Sequence, residues 1–176
     1  MLRRSARTIG LLSLLAVPAL AQDMPASYKA AQLRMLNEQQ RLMLAMADSM
    51  PEQHYRTRVT PQQRDFAQQL HHAAMAIGMI APRTMGVSAP QLPDTAGVLN
   101  TRAGMRSYIT AVYDWARATL ERQSAAERAE QVNLFGMTIP RWQVWDELHQ
   151  HTIWTAGQVV ANFRMHGMAP PAFSFF

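Results

Sequence analysis

Four stretches of this sequence repeat apolar residues every three or four positions, and no stretch of useful length alternates apolar with polar residues. Steps of three and four place side chains on one face of an α-helix, whereas a half-buried strand needs strict alternation. Proline- and glycine-rich segments separate the four stretches, so each one ends as a discrete helix. The pattern predicts an all-α fold, a four-helix bundle.

The boundaries of these helices carry residues that favour helix ends. Thr60 and Pro61 supply a capping hydroxyl and a proline at the first helical position of the second helix, and Pro82 follows its last residue. Gly167 provides a left-handed stop for the fourth helix. The predicted ranges are 27–50, 61–81 with Thr60 as the cap, 101–122 and 140–166.

Two irregular segments connect the later helices. Residues 82–100 are rich in proline, glycine and small polar residues, and this long connection between the second and third helices can cross the end of the bundle. Residues 124–136 form the second segment, in which Ser124 and Glu127 can cap one short turn.

The first 21 residues have the composition of a cleavable signal peptide. Three arginines precede an uncharged, mostly apolar run from Ile9 to Val17, and Ala19 and Ala21 form a small-x-small cleavage site. The run is too short to span a bilayer as a helix, so we expect removal and no membrane anchor. The predicted mature domain covers residues 22–176 and is periplasmic or secreted.

Charge and cysteine content exclude several classes of function. The chain carries 17 Lys and Arg against 12 Asp and Glu, a net +5, but the predicted leader holds three arginines and no acid. The mature charge of +2 forms no basic stripe, which argues against a nucleic-acid partner. Without cysteine, disulfides and thiolate metal sites are excluded.

One histidine stands where an apolar residue is expected. His151 continues the stripe of the fourth helix with Leu148 one turn before it and Thr155 one turn after it. A buried imidazole needs a partner, because an unsatisfied polar group costs about 1–3 kcal/mol. That partner is either another side chain of the core or a bound metal or ligand, and both interpretations stay open at this point.

Methionines at helical spacing raise a different metal hypothesis. Thioether sulfurs suit copper(I) in an exported protein, although methionine at this spacing is usually core filler. The residues concerned are Met43, Met46, Met50, Met75 and Met79.

Three segments of the predicted mature chain form a recognisable combination. They are Met50-Pro51-Glu52 followed by residues 60–70, then Phe135-Gly136, and finally residues 157–171. In this order they resemble the entry into the second helix, the glycine turn and the closing segment of the DinB-like family of bacterial four-helix proteins, and the resemblance covers nearly all of the predicted mature chain. It implies a bundle, often dimeric, with three histidines binding a divalent metal at one end.

The resemblance assigns the first two metal ligands to His72 and His151, and the third to a position that holds Thr155 in this chain. A hydroxyl is a poor ligand compared with imidazole, so we expect zinc or nickel to be held weakly or not at all, with Glu147 as the nearest carboxylate in sequence. The expected function is a binding or structural module, with an unidentified small molecule as ligand. The alternative is a metal-dependent transferase or hydrolase, of the thiol-transferase type found in the family.

The cleavage site generates the first prediction. Protein recovered from an exporting host should begin at Gln22, because signal peptidase cuts after the small residue that ends the small-x-small site. Intact-mass spectrometry checks this, and a mass that retains residues 1–21 would contradict it.

Overall fold

The computed structural model describes residues 26–173, so the predicted signal peptide lies outside the described residues. Four long helices form the bundle: α1 (Ala26–Ser49), α2 (Phe66–Met85), α4 (Arg102–Arg122) and α6 (Arg141–Gly157). Helices α1 and α2 each pack against both α4 and α6. The predicted all-α four-helix bundle is confirmed. No helix within residues 26–173 combines the length and the apolar character that a membrane crossing requires.

Short elements fill the connections. A 3-10 turn (Glu52–His54) follows α1, while α3 (Thr95–Asn100) lies in the long connection and packs on α2 and α4. Ser124 and Glu127 form the capping box of α5 (Ala125–Ala129), as the sequence predicts. A hairpin of β1 (Gln131–Leu134) and β2 (Met137–Pro140) precedes α6, and α7 (Val160–Met165) ends the bundle.

The predicted start of the second helix is wrong. Helix α2 begins at Phe66, and its cap is Asp65, whose carboxylate accepts a hydrogen bond from the Gln68 amide at 2.8 Å while the Gln68 side chain returns to the Asp65 amide. Residues 60–63 form a turn instead. The same capping signature occurs twice in the sequence, and the later copy also has Arg56 donating to its carboxylate at 2.8 Å.

Two other boundaries differ from the sequence prediction. Helix α2 continues through Pro82 to Met85, because a proline in the last turn removes only one helical hydrogen bond, and Gly86 at φ +66° then ends the helix. The predicted fourth helix is interrupted at Gln158 and Val159, whose amides bond three residues back to Thr155 and Ala156. Gly167 is left-handed, as predicted.

The hairpin β1–β2 was missed because its strands have only four residues each. Leu134 pairs with Met137 around a turn in which Phe135 and Gly136 both have positive φ, at 51° and 90°. Such turns favour Asn-Gly or Asp-Gly, and Phe-Gly carries no comparable signal. Asn133 Oδ1 accepts from the Gly136 amide at 3.1 Å and holds the turn closed.

The corrected helix start generates the second prediction. Asp65→Ala should lower the free energy of unfolding by about 1–2 kcal/mol, because the first turn of α2 loses its cap and Arg56 loses its carboxylate partner. Thr60→Ala is the matched control and should change it by less than about 0.5 kcal/mol. Urea unfolding measures both; a larger effect at Thr60 would restore the sequence-based start.

Candidate functional site

Helices α2 and α6 hold the predicted site residues along their shared seam. His72 lies on α2 and His151 on α6, and their ring centroids are 5.4 Å apart in an edge-to-face arrangement. Thr155 lies one turn after His151, with its Oγ1 3.5 Å from His151 Nε2, at the outer limit of a hydrogen bond. The structure therefore brings all three predicted residues together.

Buried hydrogen bonds fix the two helices at this point. Gln69 Nε2 donates to the Thr155 carbonyl at 3.1 Å, and Thr152 Oγ1 donates to the Ala73 carbonyl at 3.2 Å. Both side chains are buried, so these bonds are protected from water. Because they join residues adjacent to the site, they fix the distance between His72 and His151.

The Gln69 bond lies at the end of α6. The Thr155 carbonyl accepts from Gln69 and from the Gln158 amide, and Gln69 reaches the Gln158 side chain at 3.2 Å. Because the Gln158 amide bonds three residues back, the last turn is tightened and the regular α-helix ends there. Sequence reasoning missed Gln69, because a glutamine on an apolar stripe gives no indication of its partner.

A positive charge lies beside the two histidines. Burial lowers the pKa of His72 below its ordinary value, and the charges of Arg64 and His151 lower it further. The pKa of His151 is lowered by burial and then by Arg64. Both imidazoles are therefore neutral near pH 7, and each offers one donor and one acceptor. Sequence reasoning missed Arg64, although Arg64, Gln68 and His72 follow at four-residue steps.

An open cleft of about 340 Å³ lies against His72. Arg64, Gln68 and His71 form its polar wall, and Met75 and Leu99 form its apolar wall. The His71 ring contacts the ring of Tyr108, with 4.5 Å between the ring centroids. Burial lowers the pKa of His71. His151 Nδ1 is buried and has no hydrogen-bond partner within the described residues. A ligand beside His72 would therefore meet both polar and apolar groups.

The remaining candidates lie elsewhere or have other partners. His149 Nδ1 is 2.6 Å from Gln39 Nε2 on α1, on a different face from His151. Glu147 accepts from Gln143 at 3.1 Å. Within residues 26–173, no set of three His, Cys, Asp or Glu side chains is placed to hold a metal, so Glu147 does not complete the pair.

The five methionines of the copper hypothesis have different surroundings. Met43, Met46 and Met50 are buried in the core, whereas Met79 is 38% exposed and Met75 lines the cleft. Among the tryptophans, Trp145 is buried and donates to Gln123, whereas Trp154 is 76% exposed.

The arrangement of long helices is shared with a solved structure. A DinB-like protein from Bacillus cereus ATCC 10987 superposes with a TM-score of 0.66 and 15% sequence identity, over 82% of this chain and 97% of that one. This chain has the DinB-like fold. No protein-family model matches its sequence, and no curated protein is significantly similar to it. At 15% sequence identity, the similarity between the two proteins shows a shared fold only.

The residues of this DinB-like bundle do not fit a resident metal ion. Two imidazoles on one tetrahedral zinc, with bonds of about 2.0–2.1 Å, have ring centres about 5 Å apart, so His72 and His151 are suitably spaced. Residues 26–173 place no third strong ligand beside them, however, and the guanidinium of Arg64 adds a repulsive charge. Among the same residues, no carboxylate or carbonyl bonds to His151 Nδ1, although such a partner usually supports a metal-bound histidine.

The electrostatics generate the third prediction. Arg64→Gln should raise the pKa of both His72 and His151, because it removes the positive charge that opposes their protonation. Arg58→Gln, in the same loop, is the matched control and should leave both pKa values unchanged. NMR titration of the histidine ring signals measures them. Equal titration curves in wild type and Arg64→Gln would contradict this electrostatic account.

The sign of the pH dependence follows from the same shifts. A histidine whose pKa is lowered in the folded protein binds protons less readily than in the unfolded chain, so stability is retained above about pH 6.5. The free energy of unfolding should fall as the pH drops from about 6.5 through the folded-state pKa values of the two histidines. In Arg64→Gln this fall should be less steep, because the folded-state pKa values lie closer to those of the unfolded chain.

Proposed function

We propose that this protein is a small-molecule-binding module that uses the cleft beside His72 and works without a catalytic metal. The observation that carries this proposal is the incomplete ligand set. His72 and His151 lie close together, but Thr155 stands at the position of the third ligand, and the positive charge of Arg64 opposes a bound cation. The cleft against His72 supplies the space that a ligand needs.

The composition of the cleft defines the chemistry of the ligand. The guanidinium of Arg64 and the neutral imidazole of His72 donate hydrogen bonds, so a neutral or anionic group with acceptor oxygens is favoured over a cation. Met75 and Leu99 add an apolar surface for the body of the molecule. A ligand of this kind would also shift the NMR ring signals of His72, which gives a direct assay of binding.

Export is part of the proposal. The support for it is the leader of residues 1–21, with its arginines, apolar run and cleavage site. A binding module in the periplasm or outside the cell would meet small molecules before they reach the cytoplasm.

A metal-dependent transferase or hydrolase is the alternative. The spacing of His72 and His151 favours it, since one bound ion could use both rings. It requires tight metal binding by the chain as it stands, with only Thr155 at the third position. The copper alternative, in which methionines hold copper(I), requires copper binding that persists when both His72 and His151 are replaced.

The fourth prediction tests the third position. Thr155→His should bind zinc or nickel at least about tenfold more tightly than wild type, an effect of about 1.4 kcal/mol, because residues four apart on a helix can reach one ion. Thr155→Asp supplies a carboxylate in a smaller side chain and should also gain affinity. Competition against a chromogenic chelator measures the dissociation constants.

Two controls decide the interpretation. Thr155→His combined with His72→Ala should lose the gain, because His72 supplies one of the three nitrogens. Ser107→His places a new histidine on the exposed face of α4 and should gain nothing. If wild type binds zinc as tightly as Thr155→His, the site is already complete and the metalloenzyme alternative replaces the binding module.

A further inference from the structure

A second cavity, of about 480 Å³, lies where the loop after α2 meets the last turns of α4 and the start of α6. Its walls include Ser88 of the loop, Trp115 and Thr119 of α4, and Arg141 of α6. It shares no lining residue with the cleft beside His72. The residues that resemble the DinB-like metal site play no part in it.

A buried hydroxyl in the wall of this cavity has no partner. Thr119 is only 5% exposed, and its Oγ1 makes no hydrogen bond to any residue that the structure describes. A threonine inside a helix usually donates to the carbonyl four residues earlier, and Thr119 does not. A buried hydroxyl without a partner destabilises the fold unless something in the cavity bonds to it.

The other walls are held rigidly. The indole Nε1 of Trp115 donates to the Ser88 carbonyl at 2.9 Å, which fixes the ring against the loop. Gln123 is held from two sides, because its Oε1 accepts from Trp145 at 3.1 Å and its Nε2 lies 3.3 Å from the sulfur of Met85. An aromatic plane fixed in this way is a surface on which a flat apolar group can pack.

The charges around the cavity leave one arginine without a carboxylate partner. Arg122 lines the cavity and pairs with no carboxylate in the described part of the chain. Arg141 pairs through Nη2 with Glu130, and its buried Nε has no partner among the described residues. Glu127 also lines the cavity; its Oε2 accepts from the Ser124 amide and hydroxyl, both at 2.7 Å, and these bonds and the charge of Arg141 lower its pKa, so it keeps its negative charge beside Arg141. Arg122 is therefore the guanidinium that is free to bind an anion.

We propose that this cavity binds a small organic acid with a flat, apolar body. The carboxylate pairs with Arg122, because guanidinium donors match the geometry of a carboxylate. The body packs on Trp115, and an oxygen of the ligand bonds to the Thr119 hydroxyl. The volume of the cavity lies within the range of small-molecule sites.

Benzoate, benzyl alcohol and benzamidine share one ring and differ in charge, so they serve as probes in NMR titrations of the full mature chain. Benzoate should shift the indole signals of Trp115 and Trp145 saturably, while exposed Trp154 stays unchanged. Benzyl alcohol should bind more weakly, and benzamidine should not bind, because Arg122 repels its amidinium. An unchanged Trp115 signal at about 10 mM benzoate overturns the proposal, since a dissociation constant near 1 mM would already saturate there.

Two variants separate a binding role from a structural one. Thr119→Val keeps the shape of the side chain but removes the hydroxyl, so it should weaken benzoate binding about tenfold while the melting temperature of the free protein stays equal or rises. Arg122→Gln should weaken binding about tenfold as well, and Arg34→Gln, exposed on α1, should not. Benzoate affinities unchanged in Thr119→Val and Arg122→Gln would overturn the assignment.

Discussion

The candidate site depends on the pair of hydrogen bonds between α2 and α6, in which Gln69 donates to the Thr155 carbonyl and Thr152 donates to the Ala73 carbonyl. Both bonds use a side chain of one helix and the backbone of the other, so they fix the relative position of the helices along the seam. The short distance between His72 and His151 follows from this placement. The site is therefore a consequence of how two helices satisfy their buried polar groups.

Two residues give this site its chemical character. Thr155 holds the position at which the resemblance to DinB-like proteins implies a third histidine, and its hydroxyl contributes no strong ligand. Arg64 adds a positive charge that lowers the pKa of both histidines and opposes a cation between them. In the function proposed above, both residues favour a ligand with acceptor groups over a metal ion. The cavity beside Thr119 offers a second polar surface, built from other residues.

Much of this architecture could be predicted from the sequence, because a repeat of apolar residues every three or four positions reports directly which face of a helix is buried. The proximity of His72 and His151 could not be predicted from periodicity, because periodicity places a residue on a helix face but does not show which two helices pack together. The expectation that these two residues meet came from the family resemblance. Asp65 was missed because Thr60 offers an equivalent cap, and competition between two local signals is decided by tertiary contacts such as that of Arg56. Two further residues could not be recognised from the sequence, because only the packed structure shows their surroundings. Gln69 bonds to the Thr155 carbonyl, and the Thr119 hydroxyl has no partner among the described residues.

The central claim is that the pair His72 and His151 does not hold a resident metal ion. The most direct test is the metal content of protein purified without chelators, measured by plasma mass spectrometry and related to protein concentration. The account predicts far less than one equivalent of zinc, nickel or any other divalent ion, in wild type and in His72→Ala alike. One equivalent of a divalent ion in wild type, lost in His72→Ala and in His151→Ala, would contradict it.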